Sequence, residues 1–208
     1  MNRRHKIKGL YAITQNIVDD NHLEQVRRVL AGGASVLQYR SKSPDNALKY
    51  RQGKLLHALC REYDVLFIVN DDLDLAIKLK ADGVHLGRED MTVRQARVAL
   101  GSRAVIGASC YDSLDIARQA KQDGADYLAF GAVYPSSTKP HAVLAPLSLF
   151  TRARSEFELP LVAIGGINAA NAQAVVDAGA DALAMIQGVF ASPDPYQAAL
   201  DIARLFVD

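Results

Sequence analysis

The chain has 208 residues, of which 50% are hydrophobic and 23% are charged, an ordinary composition for one globular domain with a large core. The formal net charge of +1 excludes a bulk attraction to nucleic acid or to a membrane, so any anion binding must be local. No apolar stretch is long enough to span a bilayer and no signal segment follows the basic N-terminus, so we expect a cytoplasmic protein. The two cysteines, Cys60 and Cys110, form neither a metal-binding motif nor a disulfide framework.

Eight short apolar runs predict eight strands along the chain. The runs are continuous rather than alternating, which is typical of parallel strands that are buried on both faces. The predicted strands are residues 9–14, 35–39, 65–69, 83–86, 104–108, 127–131, 160–164 and 181–186. Segments of helical period lie between them, for example residues 23–30, 47–59, 73–79, 93–100, 114–120 and 170–176.

A loose internal repeat organises these elements. Small residues that include glycine precede four of the strands, at residues 31–34, 81–83, 123–126 and 178–181, and they predict helix ends. Eight consecutive βα units without a linker predict a single (β/α)₈ TIM barrel, one domain over residues 1–208. An open doubly wound sheet is the alternative, but no GxGxxG motif follows the first strand.

Acids follow two neighbouring strands of the predicted barrel. Asn70, Asp71 and Asp72 end the third strand, and Asp90 follows the fourth. Residues after the strands of such a barrel converge on one face, so Asp71 and Asp90 can approach one hard cation. Two carboxylates with water and phosphate oxygens suit Mg²⁺. Helix capping explains Asp72, and a surface position is the alternative for Asp90.

Basic and amide side chains end the second strand. Arg40 and Lys42 are two residues apart and can face the same side, where together they can neutralise a diphosphate. Gln38 points into the same space, and a buried amide needs a hydrogen-bonding partner. A solvated basic loop is the alternative for this segment.

Two further segments suit phosphate. The loop over residues 132–146 contains Ser136, Ser137, Thr138 and Lys139, and a loop of this length is often functional. Gly165-Gly166 ends the seventh strand, at the common phosphate site of TIM barrels. The alternatives are a flexible Ser/Thr stretch and a tight turn.

The histidines indicate little about function. His85 lies inside a predicted strand and is expected to be a hydrogen-bonded core residue. No Ser/His/Asp or Cys/His arrangement is present, which argues against hydrolysis by a side-chain nucleophile.

Seven segments in order resemble the thiamine-phosphate synthase (thiamine phosphate pyrophosphorylase) family, from one end of the chain to the other. They are QYRSK (38–42), VNDD (69–72), HLGRED (85–90), GAS (107–109), GAVYPSSTK (131–139), AIGGI (163–167) and AMIQGVF (184–190). The family joins a pyrimidine diphosphate to a thiazole phosphate, and the products are thiamine phosphate and pyrophosphate. The resemblance implies this condensation and a requirement for Mg²⁺.

The resemblance also implies a role for each matching residue. Mg²⁺ would be bound by Asp71 and Asp90, and the catalytic cations would be Arg40, Lys42 and Lys139. The pyrimidine diphosphate would be bound by Gln38, Tyr39, Arg40, Ser41, Lys42, Asn70, Ser109 and Lys139. The thiazole phosphate would be bound by Ser136, Ser137, Thr138, Gly166, Ile186 and Gln187.

Two positions depart from the family pattern. The family usually has an acid in place of Ser41 and a serine in place of Gln187. A thiazole tautomerase of the same barrel family and a non-catalytic sensor of phosphate ligands are the alternative functions. Small-molecule substrates are expected, with no nucleic-acid or membrane partner, and the sequence carries no signal for oligomeric state.

Overall fold

The computed structural model describes residues 3–15, 19–135 and 143–207 and contains a closed barrel of eight parallel strands in chain order. The strands are β1 (Gly9–Ile13), β2 (Ala34–Tyr39), β3 (Leu66–Asn70), β4 (Gly83–Leu86), β5 (Val105–Tyr111), β6 (Tyr127–Phe130), β7 (Leu161–Ile164) and β8 (Ala182–Met185). The helices are α1 (Asp20–Ala31), α2 (Asn46–Glu62), α3 (Leu73–Leu79), α4 (Val93–Leu100), α5 (Leu114–Gln122), α6 (Ser148–Glu156), α7 (Ala172–Asp177), α8 (Gln187–Phe190) and α9 (Pro195–Arg204). The predicted (β/α)₈ barrel is therefore confirmed.

The third βα unit shows how local sequence sets the element bounds. Helix α3 spans the seven residues that the pattern predicted, because Asp72 begins it and an apolar face follows. The Asp72 carboxylate accepts the backbone N–H of Leu75 at 3.0 Å, so the predicted capping role of Asp72 is confirmed.

Apolar side chains fill two layers of the fold. One layer lies between the strands and the surrounding helices. The other fills the inside of the barrel, where its members include Val36, Leu66, Ile68, Val105 and Val162. Both cysteines are buried, and burial raises the pKa of the Cys110 thiol to about 12, so Cys110 is protonated at neutral pH.

A repeated side-chain contact ties each odd strand to the next even strand at their N-terminal ends. An aspartate directly before β4, β6 and β8 accepts a backbone N–H from the preceding strand. Ser35 of β2 makes the counterpart contact by donating to backbone carbonyls near the start of β1. The aspartate pairs are Asp82 with Phe67 (2.9 Å), Asp126 with Ile106 (2.7 Å) and Asp181 with Leu161 (2.7 Å). We call these four contacts the base clasps.

Arginines from the helices complete two base clasps. Arg97 of α4 forms an ion pair with Asp126 at 2.6 Å and donates to the carbonyl of Gly124 at 2.8 Å. Arg154 of α6 pairs with Asp181 in the same way. The base of the barrel is therefore closed by polar contacts, and among them the contact between Asp126 and the Ile106 N–H is buried. Among the described residues, none of the helices is both apolar enough and long enough to cross a membrane.

Candidate active site

The C-terminal ends of the strands enclose a cavity of about 780 Å³, at the face where this fold places its sites. Residues from most of the strand ends meet there. The predicted site residues on its wall are Gln38, Arg40, Asn70, Ser109, Gly166, Ile186 and Gln187. Ser41 and Lys42 follow β2, Asp71 follows β3 and Asp90 follows β4, but these four residues are not part of the wall. Ser136, Ser137, Thr138 and Lys139 lie outside the described residues.

The side chain of Tyr39, a residue predicted to bind the pyrimidine diphosphate, points away from the cavity. It alternates with Gln38 along β2, so its ring lies on the outer face of the strand, and it is almost fully buried. Its hydroxyl donates to Gln52 of α2 at 2.9 Å. The Tyr39 side chain is therefore a packing residue between β2 and α2, and the predicted contact of Tyr39 with the pyrimidine diphosphate stays a prediction for its main chain.

A chain of hydrogen bonds crosses the floor of the cavity. Gln38 donates from Nε2 to the Tyr11 hydroxyl at 2.8 Å, which lies 2.7 Å from the Tyr127 hydroxyl. Nδ1 of His85 is 3.0 Å from the Tyr127 hydroxyl, and Nε2 of His85 is 2.9 Å from Oγ of Ser109. Strands β1, β2, β4, β5 and β6 are thereby connected inside the barrel. We call these five residues the floor network.

One direction of proton donation satisfies every hydroxyl of the floor network. Burial raises the pKa of Tyr11 and of Tyr127, so both hydroxyls keep their protons. Because Tyr11 accepts from Gln38, its own proton is available to Tyr127, which in turn can donate to His85. In the His85 tautomer that has its proton on Nε2, this nitrogen then donates to Ser109. This arrangement leaves the Ser109 hydroxyl proton to donate to a ligand in the cavity.

Gly107 makes room for the floor network. A Cβ atom at this position would lie 1.9 Å from Cζ of Tyr127. We expect Gly107→Ala to displace the Tyr127 ring and to lower the free energy of unfolding by about 1–3 kcal/mol, as measured by urea denaturation. In a Tyr127→Leu background the same exchange should cost less, because the overlapping ring is gone. An equal cost in both backgrounds would contradict this explanation.

Asp71 and Asp90 face each other at the ends of β3 and β4. Burial, followed by the hydrogen-bonding contact and the negative charge of Asp90, raises the pKa of Asp71 to about 6, although Asn70 and Arg40 oppose this shift. Oδ2 of Asp90 accepts the backbone N–H of Gly87 at 2.6 Å. The two carboxylates form an acid pair whose mutual repulsion a divalent cation would relieve.

Contacts from β4 and from α2 hold the backbone at Asp71 and Asp72 in place. Asp71 has a φ of 62°, and its N–H donates to the carbonyl of His85 at 2.9 Å. Lys49 of α2 forms an ion pair with Asp72 at 2.6 Å. Burial acts to raise the pKa of Asp72, but the hydrogen bonds from Lys49 and from the Leu75 N–H hold this pKa below its usual value.

Removing this support should loosen the acid pair. We expect Lys49→Met to lower the free energy of unfolding by about 1 kcal/mol, because the ion pair is partly shielded from water, and to raise the Mg²⁺ concentration needed for half-maximal activity. Lys54→Met, an exchange at an exposed position of the same helix, is the matched control. Equal responses of the two variants in denaturation and Mg²⁺ titration would contradict a supporting role of Lys49.

The main chain of Arg40 is fixed to the end of β1. Its N–H donates to Oγ1 of Thr14 at 3.0 Å, and the Thr14 hydroxyl donates back to the Arg40 carbonyl at 3.3 Å. Thr14 is fully buried. Arg40 is therefore placed on the cavity wall by a rigid strand end, whereas Lys42, two residues later, is exposed on the following loop.

The opposite side of the cavity is formed by the ends of β7 and β8. Gly166 has a φ of 64°, and a Cβ atom there would lie 2.5 Å from the carbonyl oxygen of Pro135, so this turn requires glycine. Asn171 donates to the Gly166 carbonyl at 3.0 Å. Gln187 begins the short helix α8 beside this turn. Backbone N–H groups at such a turn and first helical turn suit a phosphate.

The long loop after β6 opens onto this side of the cavity. Strand β6 ends at Phe130 and α6 begins at Ser148, in line with the long connection that the sequence predicted. The N–H of Ala132 donates to the carbonyl of Val143 at 3.2 Å. Pro135 and Val143, the described residues on either side of 136–142, both line the cavity.

Sequence reasoning missed several residues of the cavity wall. Tyr11 and Tyr127 lie within predicted strands and were not singled out. His85 was assigned to the core, although it also faces the cavity. Arg88 and Tyr111, at the ends of β4 and β5, were not singled out. Their positions at strand ends are the signal that could have identified them.

The fold and the site define a (β/α)₈ barrel with a phosphate-suited cavity at the carboxyl ends of its strands. The family model described as Thiamine monophosphate synthase matches residues 10–189. The chain is 51% identical over 205 residues to the thiamine-phosphate synthase of Thioalkalivibrio sulfidiphilus, with 97% of this chain and 96% of that protein covered. It is 52% identical over 199 residues to that of Thiobacillus denitrificans, covering 95% and 94%. The chain belongs to the thiamine monophosphate synthase family.

Solved structures agree with this membership. Thiamine phosphate pyrophosphorylase from Pyrococcus furiosus superposes with a TM-score of 0.88 at 38% identity, covering 99% of this chain and 98% of that chain. A geranylgeranylglyceryl phosphate synthase from Thermoplasma acidophilum, at 16% identity and a TM-score of 0.74, covers 99% of this chain and 98% of that chain, and shares the fold.

Proposed function

We propose that this chain condenses a pyrimidine diphosphate with a thiazole phosphate to give thiamine phosphate and pyrophosphate, and that it uses Mg²⁺. The observation that carries the proposal is the near-full-length match, at about half identity, to proteins named thiamine-phosphate synthase. We further propose that residues 1–208 act as one catalytic domain in the cytoplasm, with small molecules as substrates.

The pyrimidine is assigned to the floor of the cavity. Gln38, Asn70 and Ser109 lie on the wall of the same cavity, and the floor network leaves the Ser109 proton available to a ring nitrogen of the pyrimidine. Because the network joins five strands, it holds Gln38 and Ser109 rigidly. Positioning of the reacting carbon toward the thiazole nitrogen is the main contribution expected of this floor.

The acid pair is assigned to Mg²⁺. No cluster of three or more histidine, cysteine or acidic side chains suited to a metal occurs within the described residues, so Asp71 and Asp90 would share the ion with water and phosphate oxygens. The raised pKa of Asp71 beside Asp90 fits this assignment, because two crowded carboxylates favour a cation between them. When bound there, Mg²⁺ supplies positive charge at the diphosphate.

The diphosphate is assigned to the cations beside the acid pair. Arg40 stands on the cavity wall near Asp71, and Lys42, Ser41 and Lys139 are proposed to contact the same group. As the bond from the pyrimidine methylene carbon to the diphosphate oxygen breaks, negative charge grows on the leaving pyrophosphate, and these cations stabilise it. The pyrimidine-methyl cation that remains is stabilised by its amino group and is attacked by the thiazole nitrogen. No covalent intermediate with the protein is needed.

The thiazole phosphate is assigned to the ends of β7 and β8. Gly166, Ile186 and Gln187 line the cavity there, and Ser136, Ser137 and Thr138 are proposed to complete the site from the loop whose flanking residues also line it. Gln187 can donate an amide N–H to phosphate where the family usually has a hydroxyl.

A direct assay tests the function. The protein is incubated with both substrates in Mg²⁺ and, separately, with excess chelator, and thiamine phosphate and pyrophosphate are quantified. We expect equal amounts of both products, only with Mg²⁺. Omitting the thiazole phosphate is the matched control, because a diphosphatase would still release pyrophosphate or phosphate. The absence of a Mg²⁺-dependent product would overturn the proposal, and turnover of the thiazole phosphate alone would indicate a tautomerase.

A further inference from the structure

Arg88 lies on the cavity wall at the end of β4, two residues before Asp90 of the acid pair, and none of the roles above involves it. Its guanidinium carbon is 4.6 Å from the centroid of the Tyr111 ring. Its backbone N–H donates to the Tyr111 hydroxyl at 3.1 Å. One aromatic residue therefore contacts both the main chain and the side chain of Arg88.

The supports of Arg88 are themselves fixed. Tyr111 ends β5 with a φ of 55°, and its ring lies against the guanidinium of Arg88 at the end of β4. On the other side, the Asp90 carboxylate accepts the N–H of Gly87 and closes the turn that carries Arg88. A guanidinium stacked on an aromatic face keeps its N–H edge available, so the stacking orients Arg88 without consuming its donors.

The charge of Arg88 is available to a ligand. No carboxylate of the described residues forms an ion pair with it, whereas Arg97 and Arg154 are paired with aspartates at the base of the barrel. On the described part of the cavity wall, the guanidinium groups are those of Arg40 and Arg88. They follow β2 and β4, on either side of β3, which carries Asp71.

We propose that Arg88 binds the diphosphate of the pyrimidine substrate from the side opposite Arg40, and that Tyr111 is the residue that positions it. Resting on the proposed function, this assignment adds a guanidinium to the groups that stabilise the leaving pyrophosphate. Two guanidinium groups that flank the acid pair can each donate to phosphate oxygens while the acid pair binds the metal.

Binding of pyrophosphate in the presence of Mg²⁺, measured by titration calorimetry, tests the role of Arg88 without turnover. We expect Arg88→Gln to weaken pyrophosphate binding and to raise the KM for the pyrimidine diphosphate, each by about tenfold or more, because one charge-assisted contact is lost. The KM for the thiazole phosphate should change little. Arg103→Gln, the same exchange at an exposed arginine beyond the other end of the barrel, is the control. Unchanged pyrophosphate affinity in Arg88→Gln would overturn the proposal.

A double-mutant cycle tests the positioning role of Tyr111. Tyr111→Leu should weaken pyrophosphate binding about two- to fivefold, because the stacked ring is removed. In the Arg88→Gln background it should have no further effect. Additive losses would show that Tyr111 acts independently of Arg88. A wild-type protein that forms no thiamine phosphate would refute the proposed function. A wild type that forms it, with Arg88→Gln binding pyrophosphate normally, would refute only the assignment of Arg88.

Discussion

Replacing Asp71 or Asp90 by asparagine should lower kcat/KM for the pyrimidine diphosphate by about 10²- to 10³-fold, while the affinity for the thiazole phosphate changes little. The exchange keeps the shape of the side chain but removes a charge that attracts the metal, and stabilisation of the leaving pyrophosphate is lost with the metal. Steady-state kinetics with each substrate varied in turn, at several Mg²⁺ concentrations, measure the effect. Higher Mg²⁺ should restore part of the activity.

The matched control is Asp112→Asn, which changes an acid of the cavity wall that does not belong to the acid pair. Its turnover and Mg²⁺ dependence should stay near those of the wild type. Loss of folding is not expected in Asp71→Asn, because the exchange removes a half-buried charge, and burial and the neighbouring Asp90 are what raise the pKa of Asp71. An equal loss of thiazole phosphate affinity and turnover would contradict the placement of the metal at the diphosphate.

Replacing Asp126 by alanine should lower the free energy of unfolding by about 3–5 kcal/mol, because one partner of a buried ion pair is removed. Asp126 is 2% exposed, and its carboxylate accepts from the Ile106 N–H and from Arg97. Both donors would lose this acceptor. Against a typical total stability of about 5–15 kcal/mol, the loss is large, and urea denaturation followed by circular dichroism measures it.

Asp123→Ala provides the comparison three residues earlier. Its ion pair with Arg94 involves an exposed guanidinium, so its loss should cost about 0–1 kcal/mol. The loss of unfolding free energy in Asp126→Asn should lie between the losses in Asp123→Ala and Asp126→Ala, because the amide oxygen of asparagine can still accept one hydrogen bond. Similar destabilisation by Asp123→Ala and Asp126→Ala would mean that the base clasp contributes no more than a surface ion pair.

The strands and helices could be predicted largely from the sequence because burial on both faces produces continuous apolar runs. Strand β4 has the predicted bounds, and so does α3. Strand β5 extends to Tyr111, three residues beyond the prediction, because its last residues are not an apolar run. Ser109 and Tyr111 face the cavity there, so the part of the strand that serves the site lacks the pattern of a buried strand.

The candidate site was only partly predictable. Residues that follow the strands could be found one by one, because barrel geometry brings those ends together. The floor network could not, because Tyr11 and Tyr127 lie on strands that are not neighbours and meet only across the closed barrel. An aromatic ring within an apolar run has the same local pattern whether its hydroxyl faces the core or the cavity. The direction of the Tyr39 side chain follows from strand alternation: Tyr39 stands between two predicted site residues, and its ring therefore points away from the cavity.

The base clasps stabilise this barrel at the end opposite the candidate active site. They join strands two by two at the N-terminal ends, and the crowded acids, stacked arginine and long loop are all at the other end. The repulsion within the acid pair therefore neither weakens the base clasps nor is offset by them. The loops that surround the cavity of this chain can therefore be changed in length or composition without touching the contacts that join the four pairs of strands at the base of the barrel.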